Sequence, residues 1–106
     1  MSSILPDTPR FETPVYGTVF AARAAVVRRL AICDHILLVP DPPGIDEPSV
    51  WVHAPGGDVI GHLSPDVNRW MARRMLDGAR YAARVHGLGD PDTVSWRRLI
   101  IAVERV

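Results

Sequence analysis

His62 is the polar side chain with the most flexible chemistry in its strand, set between an apolar pair and the start of a helix, where a small module could place a ligand. An imidazole donates to or accepts from polar groups near neutral pH. Arginine supplies a second ingredient. All 12 basic residues are arginine, balanced by 12 acids, and the guanidinium plane makes paired contacts to phosphate and stacks on rings. Arg23, Arg28, Arg73 and Arg74 are the candidates for phosphate contact. Adjacent helical residues project to different sides, so one member each of Arg28-Arg29 and Arg73-Arg74 can face a given groove. A solvated surface is the competing reading for each.

Other chemistries fit less well. Asp46 and His62 with Ser49 or Ser64 supply the residue types of a nucleophilic triad, but Ser64 is accounted for as a helix cap. G-x-S-x-G, a phosphate-cradling glycine loop and H-E-x-x-H are all missing from the sequence. The expectation is a protein that is not an enzyme. His53 and His62 lie on facing strands of one expected hairpin, where two imidazoles meet a metal in some proteins. Structural zinc takes four ligands, and the single cysteine, Cys33, gives no thiolate pair, so no metal or cofactor is expected. Trp51 either stacks a base from the outer strand face or packs over a barrel edge.

The elements that must position these groups are legible in the pattern. Thr13–Ala22 is β-rich, with Gly17 marking a bulge or a close backbone approach. Arg23–Leu30 has helical spacing, and the continuous apolar run Ile36–Pro40 suits a buried strand. A loop with Pro42, Pro43 and Pro48 follows, lacking the backbone donors a ladder needs. Ser49–His53 alternates, placing Val50 and Val52 on one face, Trp51 and His53 on the other. Pro55-Gly56-Gly57-Asp58 turns the chain into a second short strand, Val59–Leu63. Ser64 as N-cap, Pro65 at the first helical position and Asp66 in the first turn open a helix. Its apolar stripe is Val67, Trp70, Met71 and Met75, and Asp77-Gly78 stops it. Two closing strands, Ala79–Leu88 and Val94–Val106, complete the chain.

Several short strands with one short and one longer helix argue an α+β, mostly β domain, a small OB-like barrel of about six strands. Its length of 106 residues suits one such domain, read as residues 13–106 behind a loose arm, 1–12. No apolar run is long enough to cross a membrane and the N-terminal segment lacks the pattern of a secretory signal, so a cytoplasmic location is expected. Five acids and no arginine fall between Asp41 and Asp66, whereas from Arg69 onward eight arginines face four acids. That final third is either a footprint for an anionic partner or a face paired with the acidic middle.

Four marks in order resemble the HIRAN domain, a module found alone in bacteria and phages and fused to some SWI/SNF-type helicases. They are the strand carrying Gly17, Asp34 before an apolar strand, the segment Asp41-Pro42 to Asp46 to Val50, and Gly61-His62-Leu63 ahead of a helix. The resemblance runs from about Pro14 to Val106. It implies an OB-like barrel that binds single-stranded DNA and captures a free 3′ end, contributing to DNA repair beside a helicase or nuclease. His62 stands at a family histidine, Asp46 at the family acid, for which the resemblance implies accepting from a terminal hydroxyl or a base edge, and Phe20 near the first of two aromatics. The family segment Asp-Pro-x-Asn-Pro-Tyr-Asp-x-Asn-Ala is one residue shorter here. Ile45 replaces its tyrosine and Pro48 an asparagine, and Val19 and Ala21 replace a base and the second aromatic. A base-stacking ring worth about 1–3 kcal/mol is therefore missing from the loop. Two functions follow as expectations: a non-catalytic nucleic-acid-binding module preferring single-stranded DNA ends, or an assembly module that keeps the fold without the pocket.

Overall fold

Short alternating segments can bury one face each only by curling around a shared interior. The computed structural model does this, and it describes residues 9–18, 22–42, 44–89 and 99–106. The elements are β1 (Arg10–Pro14), α1 (Arg23–Arg28), β2 (His35–Pro40), β3 (Val50–His53), β4 (Val59–His62), α2 (Pro65–Leu76), β5 (Tyr81–Leu88) and β6 (Leu99–Arg105). The strands form one antiparallel sheet in the order β1-β6-β5-β2-β3-β4. The architecture is the expected one: mostly β, OB-like, six strands, one short and one longer helix.

Among the described residues, the outer edges of the curled sheet meet at one bridge. Tyr16 N–H donates to the His62 carbonyl at 2.8 Å, and His62 N–H donates to the Tyr16 carbonyl at 3.0 Å. Gly61 makes this approach possible. A Cβ there would collide with the Tyr16 carbonyl oxygen and come within 2.8 Å of Val15 Cγ1. Bulges between Val52 and His53, and between Val85 and Gly87, add local curvature.

Inward-facing side chains fill the interior, with Val50, Val52, Ile60, Leu63, Leu99 and Ile101 fully buried. Helix α2 packs Val67, Met71 and Ala72 against them, while Trp70 and Met75 are partly buried at its margin. Asn68 fastens the helix to the sheet. Its Oδ1 accepts the Val50 N–H at 2.9 Å and its Nδ2 donates to the Leu63 carbonyl at 3.0 Å.

Several local expectations are corrected. The first strand begins at Arg10, taking in the end of the expected arm, because Phe11 and Thr13 face inward beside β6. It ends at Pro14, and beyond the bridging residue Tyr16 the chain turns at Gly17, whose φ of 78° strand geometry forbids to most residues. Strand β2 is not buried throughout. Ile36 is, but Leu37 and Val39 are 47% and 40% exposed, since an antiparallel sheet covers only one face and an unbroken apolar run hides the alternation. Ser64 occupies the N-cap, yet its side chain makes no capping bond; its carbonyl accepts from Val67 and Asn68 N–H instead. The last two strands are Tyr81–Leu88 and Leu99–Arg105; the part of the expected final strand from Val94 to Arg98 lies outside the described residues. As expected, Gly57 and Gly78 take left-handed φ values, at the β3–β4 turn and just past α2. No helix among the described residues is long and apolar enough to cross a membrane.

Candidate nucleic-acid interface

The bridge that closes the sheet also fixes His62. Its Nδ1 lies 2.9 Å from the Leu63 carbonyl, which can only accept, so Nδ1 carries the proton and Nε2 is the nitrogen left for a ligand. That bond occupies the nitrogen a triad would offer to a carboxylate. The neighbouring rings are Tyr16, 6.1 Å away between centroids, and Trp51, 5.7 Å away in an edge-on arrangement. Gly17 passes close by. A Cβ on it would lie 3.1 Å from Arg23 Nη1 and 3.5 Å from His62 Nε2, so the close approach expected there is present.

A groove of about 350 Å³ runs from His62 between the loop Asp46–Ser49 and α2. The loop contributes Asp46 and Glu47, and the helix contributes Arg69 and Arg73. These arginines lie one turn apart on one face of α2. The groove continues into a depression of about 390 Å³ beside Ile45 and Leu76, with Asp46 and Arg73 on both. Carboxylates on one wall and guanidinium groups on the other give a polarised cleft with a histidine at its end.

Asp41 holds the loop in place. One carboxylate oxygen accepts the Ser49 N–H at 2.7 Å and the other the Trp51 Nε1–H at 2.8 Å. The Asp41 N–H in turn donates to the Ser49 carbonyl at 2.9 Å. The loop is thus pinned at both ends by a residue whose sequence signal was only its place before Pro42.

Of the expected site residues, the structure brings Asp46, His62 and Arg73 into one groove. Arg23 stands on the other side of His62, donating from Nη1 to the Gly17 carbonyl at 3.1 Å, its guanidinium carbon 5.9 Å from the centre of the Trp51 ring. Arg28 and Arg74 do not line the groove. Phe20 lies outside the described residues. Arg69 and Tyr16 complete the surroundings and went unread in the sequence, although the four-residue spacing of Arg69 and Arg73 was a usable signal. His53 and His62 do not meet: the register sets His53 opposite Val59 and His62 opposite Trp51. No group of three or more potential metal ligands occurs among the described residues.

No family model, curated protein or solved structure matches this chain.

Proposed function

We propose that this domain binds single-stranded nucleic acid without catalysis, preferring single-stranded DNA with a free 3′ end, and acts beside a separate DNA-processing enzyme such as a helicase or nuclease. The observation that carries the reading is the polarised groove, with Asp46 facing Arg73 and Arg69 and His62 at its end. A terminal 3′ hydroxyl can donate to the Asp46 carboxylate, while the arginines take the phosphates upstream. A 3′ phosphate would bring additional negative charge against Asp46 and Glu47. The HIRAN resemblance agrees in substrate class.

The test is fluorescence anisotropy with single strands carrying a free or a phosphorylated 3′ end, at two salt concentrations. The expected result is tighter binding of the free end. With two phosphates neutralised, the slope of log K against log salt is about −1.4. His62→Ala should weaken binding about tenfold, Arg105→Ala hardly at all. Affinity indifferent to both the 3′ group and salt would sink the proposal. It would favour the second reading, an assembly module, for which the 51% exposed Ile45 beside Leu76 is the supporting feature.

A further inference from the structure

His62 belongs to two surfaces at once. It ends the groove, and it also sits in a row of side chains crossing the outer face of the sheet. The register pairs Val39 with Trp51, Trp51 with His62 and His62 with Tyr16. Paired residues on neighbouring strands project to the same side. A parallel row runs Leu37, His53, Val59. Leu37 and Val39 on β2 and Val59 on β4 are exposed, so the face carries apolar area that is uncovered in the single chain.

Two features indicate what covers it. The first is composition. Strands β2, β3 and β4 contain no carboxylate, and His35, the first residue of β2, pairs with Arg84 of β5. The acids that flank them are engaged: Asp34 by the Ala31 N–H, Asp41 by the Ser49 N–H and the Trp51 indole, and Asp58 by Arg29 at 4.0 Å. A face of rings and aliphatic groups suits the flat π surfaces of bases, with the phosphates left to the arginines of the groove. The second is preparation. The Trp51 indole is fixed by its N–H bond to Asp41, by the edge-on contact with His62 and by the Arg23 guanidinium, itself held on the Gly17 carbonyl. An aromatic ring held this way at a partly exposed position loses little freedom when a base is laid beside it.

Resting on the nucleic-acid reading above, we infer that the β2–β3–β4 face is a base-stacking surface for the same strand, with Trp51 as its principal ring and Val39 and Leu37 as its apolar continuation. The nucleotides upstream of the end held in the groove pass His62 and lay their bases across β3 toward β2. Strand spacing makes this a path of roughly 10 Å. The face supplies the stacking ring that the loop lacks at Ile45. Its contacts are sequence-tolerant, because every base offers a π face.

The test uses the full chain with thymidine oligonucleotides bearing a free 3′ end, one of about ten nucleotides and one dinucleotide. Trp51→Leu should weaken the longer strand roughly tenfold, leave the dinucleotide nearly unchanged and keep the salt slope of the parent. Trp51→Phe should restore most of the loss even though it cannot bond Asp41. Val39→Glu, at an exposed position that does not threaten folding, should weaken the longer strand several-fold. Wild-type affinity for the longer strand in folded Trp51→Leu and in Val39→Glu would overturn the inference, as would an equal loss on the dinucleotide. The two readings fail separately. If affinity ignores the 3′ group but falls with Trp51→Leu, the end-binding groove is lost and the stacking face stands. If the free end is preferred and neither variant matters, the reverse holds. Absence of any binding to the longer strand overturns both.

Discussion

The two halves of the outer sheet surface use their charges in opposite ways. Across β1, β6 and β5, acids and bases are matched on the sheet itself. Arg10 meets Glu104 at 2.7 Å, His86 Nε2 lies 2.6 Å from a Glu12 carboxylate oxygen, and Arg84 shares a register row with Glu12 and His35. Across β2, β3 and β4 there is no acid, and rings and aliphatic side chains take the outward places. The first half needs nothing beyond water. The second half leaves apolar area without a charged partner on its own strands, and through His62 it adjoins the groove, where Asp46 and Glu47 stand with Arg69 and Arg73. The distribution of charge, neutral in total, is what distinguishes a solvated wall from a candidate binding face.

The backbone under the two halves should differ as sharply. Gly61 lies at the seam beside the candidate site, where a Cβ would collide with the Tyr16 carbonyl. Backbone cannot yield as a flexible side chain does, so Gly61→Ala should cost about 3 kcal/mol or more, part of it by opening the Tyr16–His62 bridge. Gly87 is the control in the other half. A Cβ there would meet Ile100 at 3.7 Å, an ordinary contact, and Gly87→Ala should change stability by less than about 1 kcal/mol, in the stabilising direction. Urea denaturation of the two variants checks the contrast. Equal effects would mean that the seam is not the close contact described.

Asn68 gives the next largest effect. It holds α2 to β3 and to the end of β4 through two buried bonds. Asn68→Ala leaves the Val50 N–H and the Leu63 carbonyl without their partner, at about 2–3 kcal/mol. Because the same helix carries Arg69 and Arg73, DNA affinity should fall as well, whereas hydrogen exchange across β1, β6 and β5 should slow or quicken only with global stability. Selective loss of protection around β3 and α2 is the expected signature.

How much of this was legible depended on whether a function was local. The β3–turn–β4–capped-helix order was readable because glycines, prolines and alternation mark it within a few residues. So were the inward places of Val50 and Val52 and the stop at Gly78. The pairing of Tyr16 with His62 was not readable, since it joins segments far apart in sequence and depends on Gly61 lacking a Cβ. The loop's anchor was missed for a related reason. Asp41 acts on Ser49 and Trp51, eight and ten residues away, which no periodicity encodes. Alternation tells which residues share a face, not which face meets solvent, so it leaves Trp51 open between packing and stacking. Arg28 and Arg73 looked equivalent as members of arginine pairs; only the placement of α2 against the loop separates them.

The smallest expected effect tests the quiet half of the comparison. Glu104 donates nothing but accepts from Arg10, and that hydrogen bond, followed by the charge of Arg10 and a weaker contribution from Arg84, holds its carboxyl below the usual carboxylate range. A carboxyl with a depressed folded pKa stabilises the fold above its unfolded value and loses that contribution as pH falls through the folded one. The stability gap between the parent and Glu104→Gln should therefore be small but present at neutral pH and close only below about pH 4.5. It should shrink further in molar salt, because the pair is exposed and screened. DNA affinity should not move in this variant, since Arg10 and Glu104 lie on the β1–β6–β5 half. A Glu104→Gln protein that bound DNA more tightly would show that the acid-matched wall also faces the ligand, and the division between the two halves would fail.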